Sequence, residues 1–253
     1  MRTPRTGALD ALYTPAWVGL MLVVVVLVLG ARLVLGPPQG AGRAPAPRPP
    51  SVELVPRQPG GYGWSLAGRR IVLDPGHGGA DAGAVGRAAM PEKAIALDTA
   101  LRAAALLERA GARVVLTRRD DEAPGGTGQS SLVERVRLTR NTGADVMVSI
   151  HADASPDPSA RGVTTYYYHP EAASLARAIQ QELVARLGTV DRGVRSADFY
   201  VVRAAPVPAV LVELGFVTHP AEARSLSSAG YRQAAAEAIV DGLARYFASW
   251  GRP

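Results

Sequence analysis

Residues 71–79 read IVLDPGHGG, an apolar run that passes directly into a glycine-rich turn. Three consecutive aliphatic residues followed by turn residues are typical of a short buried strand. Pro91 and Gly111 bracket a predicted helix from Glu92 to Ala110, because proline favours the start of a helix and glycine its end. A strand, a tight turn and a helix in this order predict the first unit of an α/β fold.

The same alternation continues toward the C-terminus. Ser131 and Glu134 are expected to form a capping box at the start of a second helix. Strand–helix alternation of this kind predicts a three-layer α/β sandwich, with a twisted, largely parallel sheet flanked by helices. Strands are predicted at residues 113–117, 146–150, 163–168 and 209–212, and helices at residues 131–141, 171–187 and 231–246.

The 253 residues divide into three predicted parts, which are 1–36, 37–68 and 69–253. The first contains 21 uncharged residues from Ala11 to Ala31, enough for a transmembrane helix. We favour an uncleaved anchor over a cleaved signal peptide, because this run is long for a signal peptide. The second part is a proline-rich linker that could extend about 100 Å, and the third is the folded domain.

Composition narrows the classes of function. The chain has no cysteine, so a metal would need His, Asp or Glu ligands. The net charge is +6, but residues 1–68 carry six arginines against two acids, which leaves 22 basic and 20 acidic residues for the domain. A nucleic-acid binder should carry a basic face on the domain itself, so we expect no nucleic-acid partner.

Four polar side chains are candidates for chemistry. His77, His151 and Glu213 each follow a predicted strand, and Glu92 opens the first long helix. Ligands of open α/β sheets collect beyond the carboxyl ends of the strands, so these side chains are expected near one edge. Catalytic zinc commonly takes three His or Glu ligands and leaves a position for water, and a further carboxylate must then move the proton.

Each of these residues also has an ordinary explanation. His77 and His151 could be hydrogen-bonded structural histidines. Glu92 alone is better explained as an acid that complements the helix dipole, and Glu213 could be an ion-pair partner. Their spacing matches no short metal motif, so the residues alone leave the metal site open.

Four segments of the sequence form a recognisable set, namely IVLDPGHGG at 71–79, Glu92-Lys93, VSIHAD at 148–153 and VELGF at 212–216. In this order, and over about residues 69–250, they resemble the zinc-dependent N-acetylmuramoyl-L-alanine amidases of bacterial cell walls. The resemblance implies Zn²⁺ bound by His77, Glu92 and His151, with Glu213 as the catalytic glutamate. It also implies the amidase fold, a twisted sheet flanked by helices.

The resemblance implies hydrolysis, by zinc-activated water, of the amide between N-acetylmuramic acid and L-alanine in peptidoglycan. A zinc peptidase acting on stem peptides and a catalytically inactive wall-binding protein are the alternatives. The predicted anchor and the short single domain resemble amidases of sporulation and germination. They predict an extracytoplasmic, cell wall-facing enzyme that is membrane-anchored or secreted.

The sequence differs in two places from what is found in members of this family. Thr218-His219 follow Val217, where the family usually has Ser-Asn, so the neighbouring loop is expected to differ. Some relatives carry a helical insertion that plugs the site until a partner removes it. Here Tyr168 leads directly into the helix at 171–187, so we expect neither a plug nor a need for an activator.

Overall fold

The computed structural model describes residues 63–250. The strands are β1 (Arg70–Pro75), β2 (Arg113–Leu116), β3 (Val146–Asp153), β4 (Val163–Tyr167), β5 (Asp191–Ser196) and β6 (Ala209–Phe216). The helices are α1 (Gly63–Leu66), α2 (Glu92–Arg109), α3 (Gln129–Thr142), α4 (Ala173–Leu187), α5 (Tyr200–Ala204), α6 (Pro220–Ser227) and α7 (Ala229–Ala248), with a 3-10 turn at Pro170–Ala172.

The six strands form one sheet in the order β2-β1-β3-β6-β4-β5. Every neighbouring pair is parallel except β4 and β6, which run antiparallel. The prediction of a largely parallel sheet is therefore confirmed. Because β1, β3 and β6 are adjacent and parallel, their carboxyl ends meet at one edge of the sheet.

Helices cover both faces of this sheet. Ile71 and Leu73 of β1 belong to a large core with α2, α4 and α7, whereas Val72 belongs to a smaller core with α5. Alternate residues of a strand point to opposite faces, so one apolar run serves both cores. The predicted three-layer sandwich is confirmed.

Two local predictions were wrong or incomplete. The strand β5 was not predicted, because its sequence DRGVRS is polar and it lies at the edge of the sheet, where little burial is required. The capping box of α3 does not form, since Gly128 is the N-cap and makes no side-chain cap. Ser131 is instead buried, and its Oγ accepts a hydrogen bond from Arg135 Nε at 3.3 Å.

No helix within residues 63–250 is long and apolar enough to cross a membrane. The predicted span at 11–31 and most of the predicted linker lie outside the described residues, so both remain predictions. At the other end of that linker, Leu66 is buried in the large core, so the folded unit includes residues before Arg69.

A buried ion pair lies beneath the carboxyl end of β1. Arg135 Nη1 donates to Asp74 Oδ1 at 2.6 Å, and both side chains are at most 3% exposed. Thr117, which directly follows β2, and Ser149 of β3 donate to the same carboxylate at 2.6 and 2.7 Å. Burial alone would raise the pKa of Asp74, but the Arg135 guanidinium and these hydrogen bonds outweigh it and hold that pKa below its ordinary value.

We expect Asp74→Asn to lower the free energy of unfolding by about 3–5 kcal/mol, because it leaves the Arg135 charge buried without its counter-ion. Urea denaturation of the purified chain measures this. Glu134→Gln, which removes an exposed ion pair with Arg137, is the matched control and should change stability little. Equal, small effects of both substitutions would contradict a stabilising role for the buried pair.

The same pair should give a pH dependence of stability. The pKa of Asp74 is lower in the folded chain than in the unfolded chain. Its contribution is therefore complete above about pH 4, the ordinary range of an aspartate, and is lost as the pH falls through the folded pKa. The free energy of unfolding, measured between about pH 5 and pH 2, should therefore depend less steeply on pH in Asp74→Asn than in the wild type.

Candidate metal centre

His77 lies in the loop that follows β1 and has an unusual backbone conformation. Its φ is 60°, and it is the sole non-glycine residue with positive φ among those the structure describes. Such a conformation costs on the order of 1–3 kcal/mol and concentrates at functional sites. Asp81 Oδ2 lies 2.8 Å from His77 Nδ1, which leaves Nε2 directed at Glu92 Oε1, 3.0 Å away.

Glu92 is the first residue of α2 and is 3% exposed. Its Oε1 lies 2.8 Å from His151 Nδ1 and accepts a hydrogen bond from the amide of Ala152 at 3.1 Å. The amide of Ala84 donates to Oε2 at 2.5 Å. The helix-dipole explanation is thus incomplete, because this carboxylate faces two imidazoles inside the protein rather than solvent.

The two imidazoles determine the charge of Glu92. Burial acts to raise its pKa, but the contacts with His151 and His77 outweigh burial and place the pKa well below its ordinary value. The carboxylate is therefore ionised at neutral pH, as a metal ligand must be.

His151 completes a compact set of donor atoms. It lies on β3, and its ring centroid is 4.9 Å from that of His77. One ligand atom from each of His77, Glu92 and His151 lies within 4.8 Å of the others. Two imidazoles and one carboxylate are a donor set that zinc accepts, and the Asp81 contact is the kind that orients a histidine ligand.

Glu213 lies on β6, opposite His151 in the parallel register of β3 and β6. Its Oε2 is buried and has no hydrogen-bond partner within the described part of the chain. Burial raises the pKa of this carboxyl well above its ordinary value, and the nearby charges of Glu92 and Asp153 raise it further. This carboxyl therefore binds a proton more readily than an ordinary glutamate, which suits a residue that accepts and then donates a proton.

A cavity of about 300 Å³ opens beside His77 and His151. Its lining includes His77 and His151 together with the side chains of Phe199, Tyr200 and Leu211. Glu92 and Glu213 do not line it. A substrate bound in this cavity would lie against both imidazoles. The arrangement has the mixture of apolar wall and convergent polar groups that is typical of small-molecule sites.

Two glycines allow the ligand side chains to approach one another. A Cβ at Gly76 would collide with the imidazole of His151. A Cβ at Gly83, whose φ is +75°, would lie 2.7 Å from His77 Cδ2 and 2.8 Å from Glu92 Cβ. Glycine is required at both positions because the backbone passes within contact distance of the donor set.

The remaining histidines, His169 and His219, lie outside this cluster. His169 Nε2 contacts the carbonyl of Arg203 at 2.9 Å, and His219 caps α6 by accepting from the amide of Glu222. The contact of Asp81 with His77 was not predicted from the sequence. Its position four residues after His77 was the available signal.

Comparisons with a family model, with known sequences and with solved structures agree with one another. The sequence model of the family described as N-acetylmuramoyl-L-alanine amidase matches residues 71–245. The chain is 41% identical over 186 residues to N-acetylmuramoyl-L-alanine amidase LytC of Bacillus subtilis (strain 168), covering 72% of this chain and 36% of that protein. The germination-specific N-acetylmuramoyl-L-alanine amidase of the same organism is 37% identical over 203 residues, covering 75% of this chain and 85% of that protein.

The chain thus spans about a third of the length of LytC, and most of the length of the germination-specific relative. Among solved structures, the CwlD amidase from Clostridioides difficile, determined in complex with the GerS lipoprotein, superimposes with a TM-score of 0.68. That chain is 31% identical, and the match covers 72% of this chain and 99% of CwlD.

If His77, Glu92 and His151 hold zinc, Gly76→Ala is expected to weaken the zinc affinity by about tenfold or more, because the added methyl group displaces the His151 ring from the donor set. Competition with a chromophoric chelator measures the affinity. Gly68→Ala is the control: its methyl group meets nothing within 4 Å, although the φ of +76° makes it locally strained. Unchanged zinc affinity in Gly76→Ala would contradict this placement of His151.

Proposed function

Because this chain belongs to the N-acetylmuramoyl-L-alanine amidase family, we propose that it hydrolyses the amide bond between N-acetylmuramic acid and L-alanine in peptidoglycan. One observation carries the proposal for this particular chain. His77, Glu92 and His151 converge on one point, while the carboxyl of Glu213 is held on the adjacent strand.

We assign zinc ligation to His77, Glu92 and His151. The donor set fits zinc in type and number, and it leaves a coordination position open. Bound zinc supplies an activated water and polarises the carbonyl of the scissile amide. Asp81 holds the Nδ1 side of His77, so that Nε2 is the nitrogen presented to the metal.

Glu213 is the residue assigned to proton transfer. Its Oε2 is unpartnered in the described structure and is free to accept a proton from the attacking water. The same carboxyl then donates that proton to the departing amine of L-alanine. The raised pKa suits both steps, since it stabilises the protonated form between them.

We propose that the enzyme acts outside the cytoplasm, on the cell wall. The predicted span at 11–31 would tether it to the membrane, and the proline-rich linker would let the domain reach the wall. Similarity to the germination-specific amidase supports a role in sporulation or germination.

We also propose that the domain acts without an activator. Residues 168–172 join β4 to α4, and apart from the short 3-10 turn at Pro170–Ala172 this connection holds no inserted helix. CwlD was solved in complex with a lipoprotein. A comparable partner of this chain would therefore bind an already open site rather than remove a plug.

The decisive experiment is digestion of purified peptidoglycan by the purified chain alone, with products identified by mass spectrometry. An amidase releases the whole stem peptide with L-alanine at its free N-terminus and leaves intact glycan. Products shortened from the other end of the stem would identify a peptidase instead. Release that occurs only after addition of a cell extract would overturn the proposal that no activator is needed.

Glu213→Gln should reduce the turnover number by a factor of about 10² to 10⁴, because the amide cannot carry the proton. Zinc content, measured on the same preparation, should stay at the wild-type level, since Glu213 is not assigned as a ligand. Glu171→Gln, at an exposed site in the 3-10 turn, is the control and should retain full activity. Wild-type turnover in Glu213→Gln would remove Glu213 from the mechanism.

A further inference from the structure

Lys93 differs from every other cation of this protein. It is the single lysine among 28 basic residues, so all the others are arginine. It directly follows Glu92 in the sequence, and its side chain is only 18% exposed. In a sequence whose other basic residues are all arginine, lysine stands at the position adjacent to an assigned zinc ligand.

Residue 93 connects the helix that carries Glu92 to the loop that carries His77. Lys93 Nζ donates to the carbonyl of Gly79 at 2.7 Å. The amide of Lys93 donates to the carbonyl of Ala82 at 3.2 Å. Gly79 and Ala82 both lie in the loop between β1 and α2, one on each side of Asp81, which itself contacts His77.

The carbonyl of Lys93 makes a third connection. Arg118 Nη2 donates to it at 2.7 Å and also donates to the carbonyl of Gly76 at 2.7 Å. A single guanidinium therefore joins residue 93 to the residue immediately before His77. The ammonium and the amide of Lys93 therefore bond to this loop directly, and its carbonyl is joined to the loop through the side chain of Arg118.

The size and geometry of the ammonium group suit this position. Lys93 Nζ reaches both the Gly79 carbonyl and Asp121 Oδ2, each at 2.7 Å. An ammonium is a compact point charge with three donors, whereas a guanidinium is a larger planar fork. Arginine would have to place that fork in the same partly buried space and would displace the loop.

We propose that Lys93 is a positioning residue that fixes the distance between His77 and Glu92, and so tunes zinc affinity, on the basis of the zinc site proposed above. It contacts neither substrate nor the reacting atoms. By holding the carbonyl of Gly79, it keeps the loop closed over α2 while His77 adopts its left-handed conformation. The side chain is a support for the ligands rather than a ligand itself.

A purely stabilising role predicts a different outcome. The ion-pair partner Asp121 is 63% exposed, so the pair adds little to the free energy of unfolding. The other contact of the ammonium is with a loop carbonyl and not with the hydrophobic core. Loss of the ammonium should therefore change the metal site much more than global stability.

The test compares Lys93→Met, Lys93→Arg and the surface control Arg137→Met in the full purified chain. Zinc affinity is measured by chelator competition, and thermal unfolding is measured on the metal-free protein. Visible absorption of the cobalt-substituted protein reports the ligand geometry. We expect Lys93→Met to lose zinc affinity by about 10- to 100-fold, with an altered cobalt spectrum. Metal-free unfolding should match that of Arg137→Met.

Lys93→Arg retains the charge and should lose less affinity than Lys93→Met, but it should not match the wild type. It also keeps the proposal testable if the methionine variant fails to fold. Wild-type zinc affinity and an unchanged cobalt spectrum in Lys93→Met would overturn the proposal. Equal affinities of Lys93→Arg and the wild type would overturn the requirement for lysine.

These outcomes are separable from the proposed activity. If the wild type binds zinc, and Lys93→Met binds it weakly, the positioning role stands even where peptidoglycan digestion yields no amidase products. If digestion yields those products while Lys93→Met keeps full affinity, the amidase proposal stands and the positioning role fails.

Discussion

The buried ion pair between Asp74 and Arg135 is the interaction on which the catalytic edge of the sheet depends. It ties the end of β1 to α3, and through Thr117 and Ser149 to the strands on either side. The same guanidinium donates to the carbonyls of Pro75 and His77 at 2.7 and 2.5 Å. An ion pair removed from water is stabilising only when its remaining donors are also satisfied, and here the loop backbone satisfies them. The cost of burying the charge is thus offset by the contacts that hold His77.

The parallel sheet determines the positions of the other residues of the site. The register of β3 and β6 places His151 opposite Glu213, so their side chains share one face of the sheet. The turn after β1 returns the chain to α2, whose first residue is Glu92. Residues far apart in sequence therefore meet because the ends of adjacent parallel strands coincide.

Two glutamates in this site have opposite electrostatic environments. The pKa of Glu92 lies below its ordinary value because two imidazoles face it, despite burial. The pKa of Glu213 lies above its ordinary value because it is buried, without a hydrogen-bond partner for Oε2 among the described residues, near other acids. One carboxyl is suited to remain an anion and the other to exchange a proton, although the residue type is the same.

The sequence by itself determined the layered α/β fold, the family, and the position of His77, His151 and Glu213 near the carboxyl ends of strands. It placed His151 and Glu213 just after their strands, whereas β3 and β6 extend past both residues. These features follow from local apolar periodicity and from short motifs, which are present in the chain before it folds. Only the tertiary structure decided which side chains meet at the site and how the edge strand β5 forms. Glu92 faces two histidines only because α2 packs against β3, which brings together residues 59 positions apart. Asp81, Lys93 and Arg135 hold the loop around His77, but no periodic pattern in the sequence predicts these contacts. The strand β5 gains its extended conformation only by pairing with β4. Such contacts depend on side chains that meet after packing, so the local sequence specifies them only through the completed fold.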